Sequence, residues 1–153
     1  MAMRYWHTSI IAAAFICGCA ETASHRRSET VSFVLQAGPR NAGETGRGFV
    51  TAQDVRTLVN LTISGVPPWV ARPIQILTFV YAGSCAKHDA SPVYALNDAE
   101  QVNAQSGIGL SGPFTLSKTL PMPMARLRSG KFAIVLRTSP ADGNSDIFCG
   151  DMK

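Results

Sequence analysis

The residues of this chain able to do covalent or metal chemistry are few: four cysteines and three histidines among 153 residues. Cys17 and Cys19 lie near the start, while Cys85 and Cys149 stand far apart in the body of the chain. A thiol becomes a nucleophile when a neighbouring base or cation holds it as thiolate. The sequence suggests no such partner beside Cys85 or Cys149. His88 and Asp89, with Asp98 and Glu100 further on, offer donors acceptable to zinc, and the carboxylates to calcium. Their spacing matches no metal-binding pattern. We read the stretch as a solvated polar loop in which His88, Asp89 and Asp98 are weak metal candidates, and we expect no cofactor.

The compartment decides what the cysteines do. Residues 1–19 carry one charge, Arg4, and then the apolar run Ile10–Cys19. Polar residues resume at Glu21. A positive start, a short apolar run and a small-residue exit form a secretory signal pattern. The run is shorter than the ~20 apolar residues of a membrane-spanning helix. Ile16-Cys17-Gly18-Cys19 resembles a bacterial lipobox, which implies cleavage before Cys19 and lipidation of its thiol. Acyl chains at Cys19 would hold the protein on a membrane, in the bacterial periplasm or at the outer membrane. Ordinary cleavage after Ala20 or Ala23, with release, is the alternative. With the leader gone and the Cys19 thiol acylated or cleaved away, two free cysteines remain, and an even pair in an oxidising compartment reads as a disulfide between Cys85 and Cys149.

The formal charge is +4, and removal of Arg4 lowers it by one. The basic residues are scattered, with a single run at Arg26-Arg27. A nucleic-acid surface needs a denser basic stripe with interleaved aromatics, so no nucleic-acid partner is expected.

Residues 20–30 are polar and aperiodic and read as a tether. Residues 31–153 read as one domain. Val31, Phe33 and Leu35 alternate with Ser32, Val34 and Gln36, and a Gly-containing strand follows over Thr45–Ala52. Val55–Ser64 predicts a strand with Val55, Thr57, Val59, Leu61 and Ile63 on one face. Pro73–Ala82 is apolar at successive positions and predicts a central strand. Residues 83–111 read as loop. Phe114, Leu116 and Lys118 start another strand, Met124–Ser129 makes one helical turn, and Lys131–Thr138 and Ser145–Asp151 are the last strands. Turn residues punctuate the whole. About seven or eight short strands without a long amphipathic helix predict an all-β sandwich or barrel. Trp69 is expected to cap the barrel end. Asn60-Leu61-Thr62 fits a glycosylation acceptor pattern, but it falls within a predicted strand.

Several short motifs carry a family resemblance. They are Gly83-Ser84-Cys85 after one strand, Ser139-Pro140-Ala141-Asp142 after another, Cys149-Gly150-Asp151 at the end, and Leu61–Gly65 followed by Val66-Pro67-Pro68. In order and spacing, residues from about 45 to 152 resemble the copper/zinc superoxide dismutase fold, above all its compact bacterial secreted relatives. The resemblance implies an eight-stranded Greek-key barrel whose disulfide ties the loop after one core strand to the last strand. Cys85 and Cys149 fit those places.

The family holds copper through imidazoles, which suit that metal as neutral ring nitrogens. By alignment on Cys85, its His-x-His pair falls on Phe79 and Tyr81. A further copper histidine falls on Arg137, and the arginine that draws in the superoxide anion falls on Asp146. A protonated guanidinium cannot ligate a metal. After the leader only His25 and His88 remain, too few for the family's copper site. Tyr81, Arg137 and Asp146 could instead outline a small polar pocket. The resulting expectation is a non-catalytic, secreted or lipid-anchored envelope protein acting by binding or structure. It would touch the membrane through Cys19 and meet an envelope protein or ligand as yet unspecified. The alternative is a divergent superoxide dismutase, or a weak metal-binding protein using the 86–102 loop.

Overall fold

The computed structural model describes residues 28–97 and 111–152. The expected leader, Cys19 and most of the stretch read as tether lie outside the described residues, as do Asp98 and Glu100. The described chain forms β1 (Thr30–Ala37), β2 (Gly46–Gln53), β3 (Arg56–Gly65), β4 (Ile76–Ser84), β5 (Lys87–His88), β6 (Tyr94–Ala95), β7 (Ser111–Leu120), α1 (Met124–Ser129), β8 (Phe132–Thr138) and β9 (Asp146–Met152). The protein is all-β. Its strands form one antiparallel sheet in the order β5-β4-β8-β9-β1-β2-β3-β7, with β6 also pairing β4. The sheet curls into a half-barrel. β1 to β3 form a meander. The chain then crosses from β3 to β4 at the far end and returns to place β7 beside β3, which is the Greek-key step.

Alternation writes the core. In β3, Thr57, Val59, Leu61 and Ile63 are buried, while Thr62 and Ser64 face out. Across the ladders the four buried residues pair in turn with Ala52, Val50, Gly48 and Gly46 of β2 and with Leu120, Lys118, Leu116 and Phe114 of β7. From the other half of the sheet Ile76 and Val80 of β4, Ile134 and Leu136 of β8, and Phe148 and Met152 of β9 complete the same cluster. The inward glycine at 48 has a packing reason. A Cβ there would lie 2.1 Å from Cζ of Phe33, whose ring fills the space opposite. Polar atoms on this face are mostly satisfied: Thr57 Oγ1 donates to the Met122 carbonyl at 2.7 Å. Thr78 Oγ1 has no hydrogen-bond partner among the described residues.

Several boundaries differ from expectation. β1 begins at Thr30, and the Glu29 carbonyl accepts from the Ala52 N–H at 2.8 Å, so the sheet takes in the end of the stretch read as tether. Val55 is not on the core face of β3. Asp54 and Val55 form the two-residue turn between β2 and β3, where Asp54 has φ 47° and Val55 is 73% exposed. β4 starts at Ile76 rather than Pro73, and it is not central: among the described residues only the two-residue strands β5 and β6 lie beyond it. Its two-sided apolar character arises because Tyr81, on the face away from the core, is also buried. The segment read as loop therefore contains β5 and β6. The helical turn sits over Met124–Ser129 with Met124 and Leu127 buried. Trp69 is about half exposed, in a turn.

Candidate functional site

The outward face of β4 presents Leu77, Phe79 and Tyr81. Register places them beside Arg137, Val135 and Ala133 of β8, with Cys149 of β9 next to Val135. Two devices bring further groups onto this face. The β8–β9 register shifts between Leu136 and Arg137, which sets Asp146 opposite Arg137; an irregularity of this kind re-aims side chains. Gly83 has φ +110°, a conformation that favours glycine. A Cβ on it would lie 2.5 Å from the Lys87 carbonyl oxygen, so β4 can turn sharply into β5 only with glycine there. That turn delivers Cys85 to Cys149 and His88 to Tyr81.

The disulfide between Cys85 and Cys149 has an S–S distance of 2.04 Å and a Cα–Cα distance of 5.8 Å, within the usual range for a bridge. The Cys85 N–H donates to Asp151 Oδ1 at 2.8 Å, which holds the loop from a second point. Above it the His88 ring centroid is 4.4 Å from that of Tyr81, and Phe79 and Tyr81 are 6.5 Å apart at a tilt of 51°. These are ordinary favourable aromatic geometries. His88 Nδ1 is 2.8 Å from the Asp89 carbonyl oxygen. A carbonyl only accepts, so Nδ1 carries the proton.

Arg137 closes the cluster. Its guanidinium carbon is 5.4 Å from the Phe79 ring centroid and 5.6 Å from that of Tyr81, within cation–π range of both. Its Nε donates to Asp146 in an ion pair. Burial by itself would lower the guanidinium's pKa. The hydrogen bond and charge of Asp146, with a smaller part from Tyr81, outweigh burial, and the pKa is raised above its ordinary value. Arg137 therefore stays protonated at every working pH.

The structure thus brings Tyr81, Arg137 and Asp146 together, and adds Phe79 and His88. The space over the two rings is occupied by the guanidinium itself. Phe79 has no donor atom and Arg137 cannot release a proton, so the groups over the sheet are equipped for stacking and ion pairing. His88 and Asp89 lie at the rim, and their expected partners Asp98 and Glu100 are outside the described residues. Among the described residues no group of three or more His, Cys, Asp or Glu side chains is close enough to hold a metal ion. Among them, too, no helix is long and apolar enough to cross a membrane. The stack of Arg137 over two strand-adjacent rings was signalled only by the Phe79-x-Tyr81 spacing. The His88–Tyr81 contact depends on the Gly83 turn and had no linear signal.

No family model, no curated protein and no solved structure matches the chain.

Proposed function

We propose that this chain is a non-catalytic cell-envelope protein. It would be exported through residues 1–19, held at a membrane by lipid on Cys19, and present a disulfide-stapled domain resembling superoxide dismutase that acts by binding. The observation that supports this reading is the cluster of Phe79, Tyr81, Arg137 and Asp146 on one outward patch of β4, β8 and β9. By the alignment on Cys85 that the resemblance implies, these positions correspond to those at which that family keeps its copper imidazoles and its anion-guiding arginine. Here they hold two rings, a permanent cation and the carboxylate that pairs it. A guanidinium at such a place repels a metal cation and offers it no lone pair. Function resides in sites and not in folds, so a frame of this kind is free to serve as a binding module.

The test is the metal content of the purified protein by elemental mass spectrometry, after copper and zinc have both been offered and dialysed away. Less than about a tenth of an equivalent is expected, since a holding site needs a full set of deprotonated ligands. A full equivalent retained through dialysis overturns the reading in favour of a divergent superoxide dismutase or a metal binder using the 86–102 loop. Superoxide turnover then separates those two.

A further inference from the structure

The half of the sheet formed by β1, β2, β3 and β7 turns a second face outward, remote in register from the Arg137 cluster. Across the four strands its central row reads Ser32, Phe49, Asn60, Ser117. The row on one side is Thr30, Thr51, Leu58, Thr119, and on the other Val34, Arg47, Thr62, Thr115. Arg47 is the single charged residue in these rows, although the chain as a whole holds 14 basic and 10 acidic side chains. None of these residues is buried, Phe49 is 37% exposed, and Val34 is 64% exposed. Outward sheet faces of soluble proteins ordinarily carry interspersed charges that protect against association. This one carries hydroxyls, one amide and one ring. A hollow of about 440 Å³ opens at its end between Val34, Arg47, Thr62 and Pro113, within the size range of small-ligand sites.

The chemistry of the face selects among partners. A nucleic acid or anionic lipid requires several cations, and Arg47 alone does not supply them. An acyl chain or apolar helix requires a continuous apolar surface, and Val34, Phe49 and Leu58 are separated by polar neighbours. A second copy is disfavoured by area. Three rows over four strands at about 4.8 Å spacing and ~3.4 Å rise cover only a few hundred Å², against the ~800 Å² per partner of a stable interface. A neutral oligosaccharide fits. It offers an apolar ring face to an aromatic side chain, and hydroxyls that both donate and accept. Ser32, Asn60 and Ser117 can each do both; Ser32 and Asn60 flank Phe49 in one row, and Ser117 follows Asn60. We infer that this outward face is a binding surface for neutral glycan chains, with Phe49 as the stacking platform and Asn60 as the principal polar contact. The inference does not rest on the metal-free reading of the Arg137 cluster.

The experiment titrates the full chain with the hexasaccharides of N-acetylglucosamine and of glucose, and with a sulfated oligosaccharide as the anionic control. Binding is read by calorimetry in low and high salt. Phe49→Ala and Asn60→Ala are compared with the parent after their thermal unfolding shows that they are folded. Both side chains point to solvent, and Ser117→Arg serves as a second, charge-adding block should either variant fail to fold. The expected result is binding of at least one neutral hexasaccharide, insensitive to salt and weakened roughly tenfold by Phe49→Ala, the worth of one aromatic contact. The inference is overturned if neither neutral hexasaccharide binds or if Phe49→Ala leaves binding unchanged. It also fails if only the sulfated chain binds, in a salt-sensitive manner. Concentration-dependent dimerisation abolished by Phe49→Ala would assign the face to a second copy instead.

Discussion

At the scale of single residues, the informative side chains are those whose partners lie far away in sequence. Asp142 is one. Its Oδ1 accepts from the Ala71 N–H at 2.9 Å, and its Oδ2 accepts from the Ser139 hydroxyl at 2.7 Å. It therefore links the turn after β8 to the loop between β3 and β4. The Ala71 bond, and then the Ser139 bond, lower its pKa below the ordinary carboxylate value. A carboxyl whose folded pKa is depressed stabilises the fold above its unfolded pKa, and that contribution is lost as pH falls through the folded value. Asp142→Asn is therefore expected to unfold at lower temperature than the parent at neutral pH. The two melting temperatures should converge as pH drops below the carboxylate range. A constant gap across that range would show that the charge is not what the two hydrogen bonds select. Arg137 belongs to the same scale: its type is visible in the sequence, but its stack over Phe79 and Tyr81 is created by the pairing of β4 with β8.

At the scale of elements, inward and outward alternation does most of the work, and one close contact is built by omission. Gly48 faces inward in β2 where the Phe33 ring has taken the space. Gly48→Ala is expected to destabilise the domain by about 1–3 kcal/mol, the usual cost of forcing extra volume into a packed core. Phe33→Leu in the same chain should return part of that loss, because the smaller side chain vacates the contact. Urea unfolding of the two single variants and the double variant measures the coupling. Additive effects would place the strain of Gly48→Ala elsewhere. The strands β1, β2 and β3 were legible in the sequence because each alternates between an inward apolar face and an outward one, while their pairing was not. Val55 was misplaced because a β-branched residue at the tip of a two-residue turn continues the alternation. The lone signal against it was its neighbour Asp54, a residue type that tolerates positive φ.

At the scale of the molecule, the disulfide joins the two ends of the β4–β8–β9 half of the sheet across a sequence separation of 64. Closing a loop of that length removes denatured-state entropy worth about 4 kcal/mol on the chain-entropy model. This is a large share of the ~5–15 kcal/mol that stabilises a domain. Cys85→Ser with Cys149→Ser is expected to lower unfolding free energy by several kcal/mol in denaturant titration, with the native strand content kept under mild conditions. An unchanged midpoint would mean that the Asp151 contact and the β4–β5 turn hold the loop without the bridge. The same arrangement sets the Arg137 cluster on one half of the sheet and the Phe49 face on the other, so the two surfaces can be altered independently.

The sequence by itself determined that the chain is all-β, since its apolar runs are short, mostly alternating and broken by Gly, Pro and Asn, with no long amphipathic helical stretch among them. It also determined that Cys85 and Cys149 are the two cysteines of the body of the chain, because that is a matter of counting. Tertiary structure alone decided which runs are neighbours. β7 returns to β3, and β4 takes β8 on one side and only short strands on the other. Such pairings join residues distant in the chain, and periodicity carries no record of them. For the same reason the stack of Arg137 over Phe79 and Tyr81, and the row of Ser32, Phe49, Asn60 and Ser117, exist only once register brings four strands side by side.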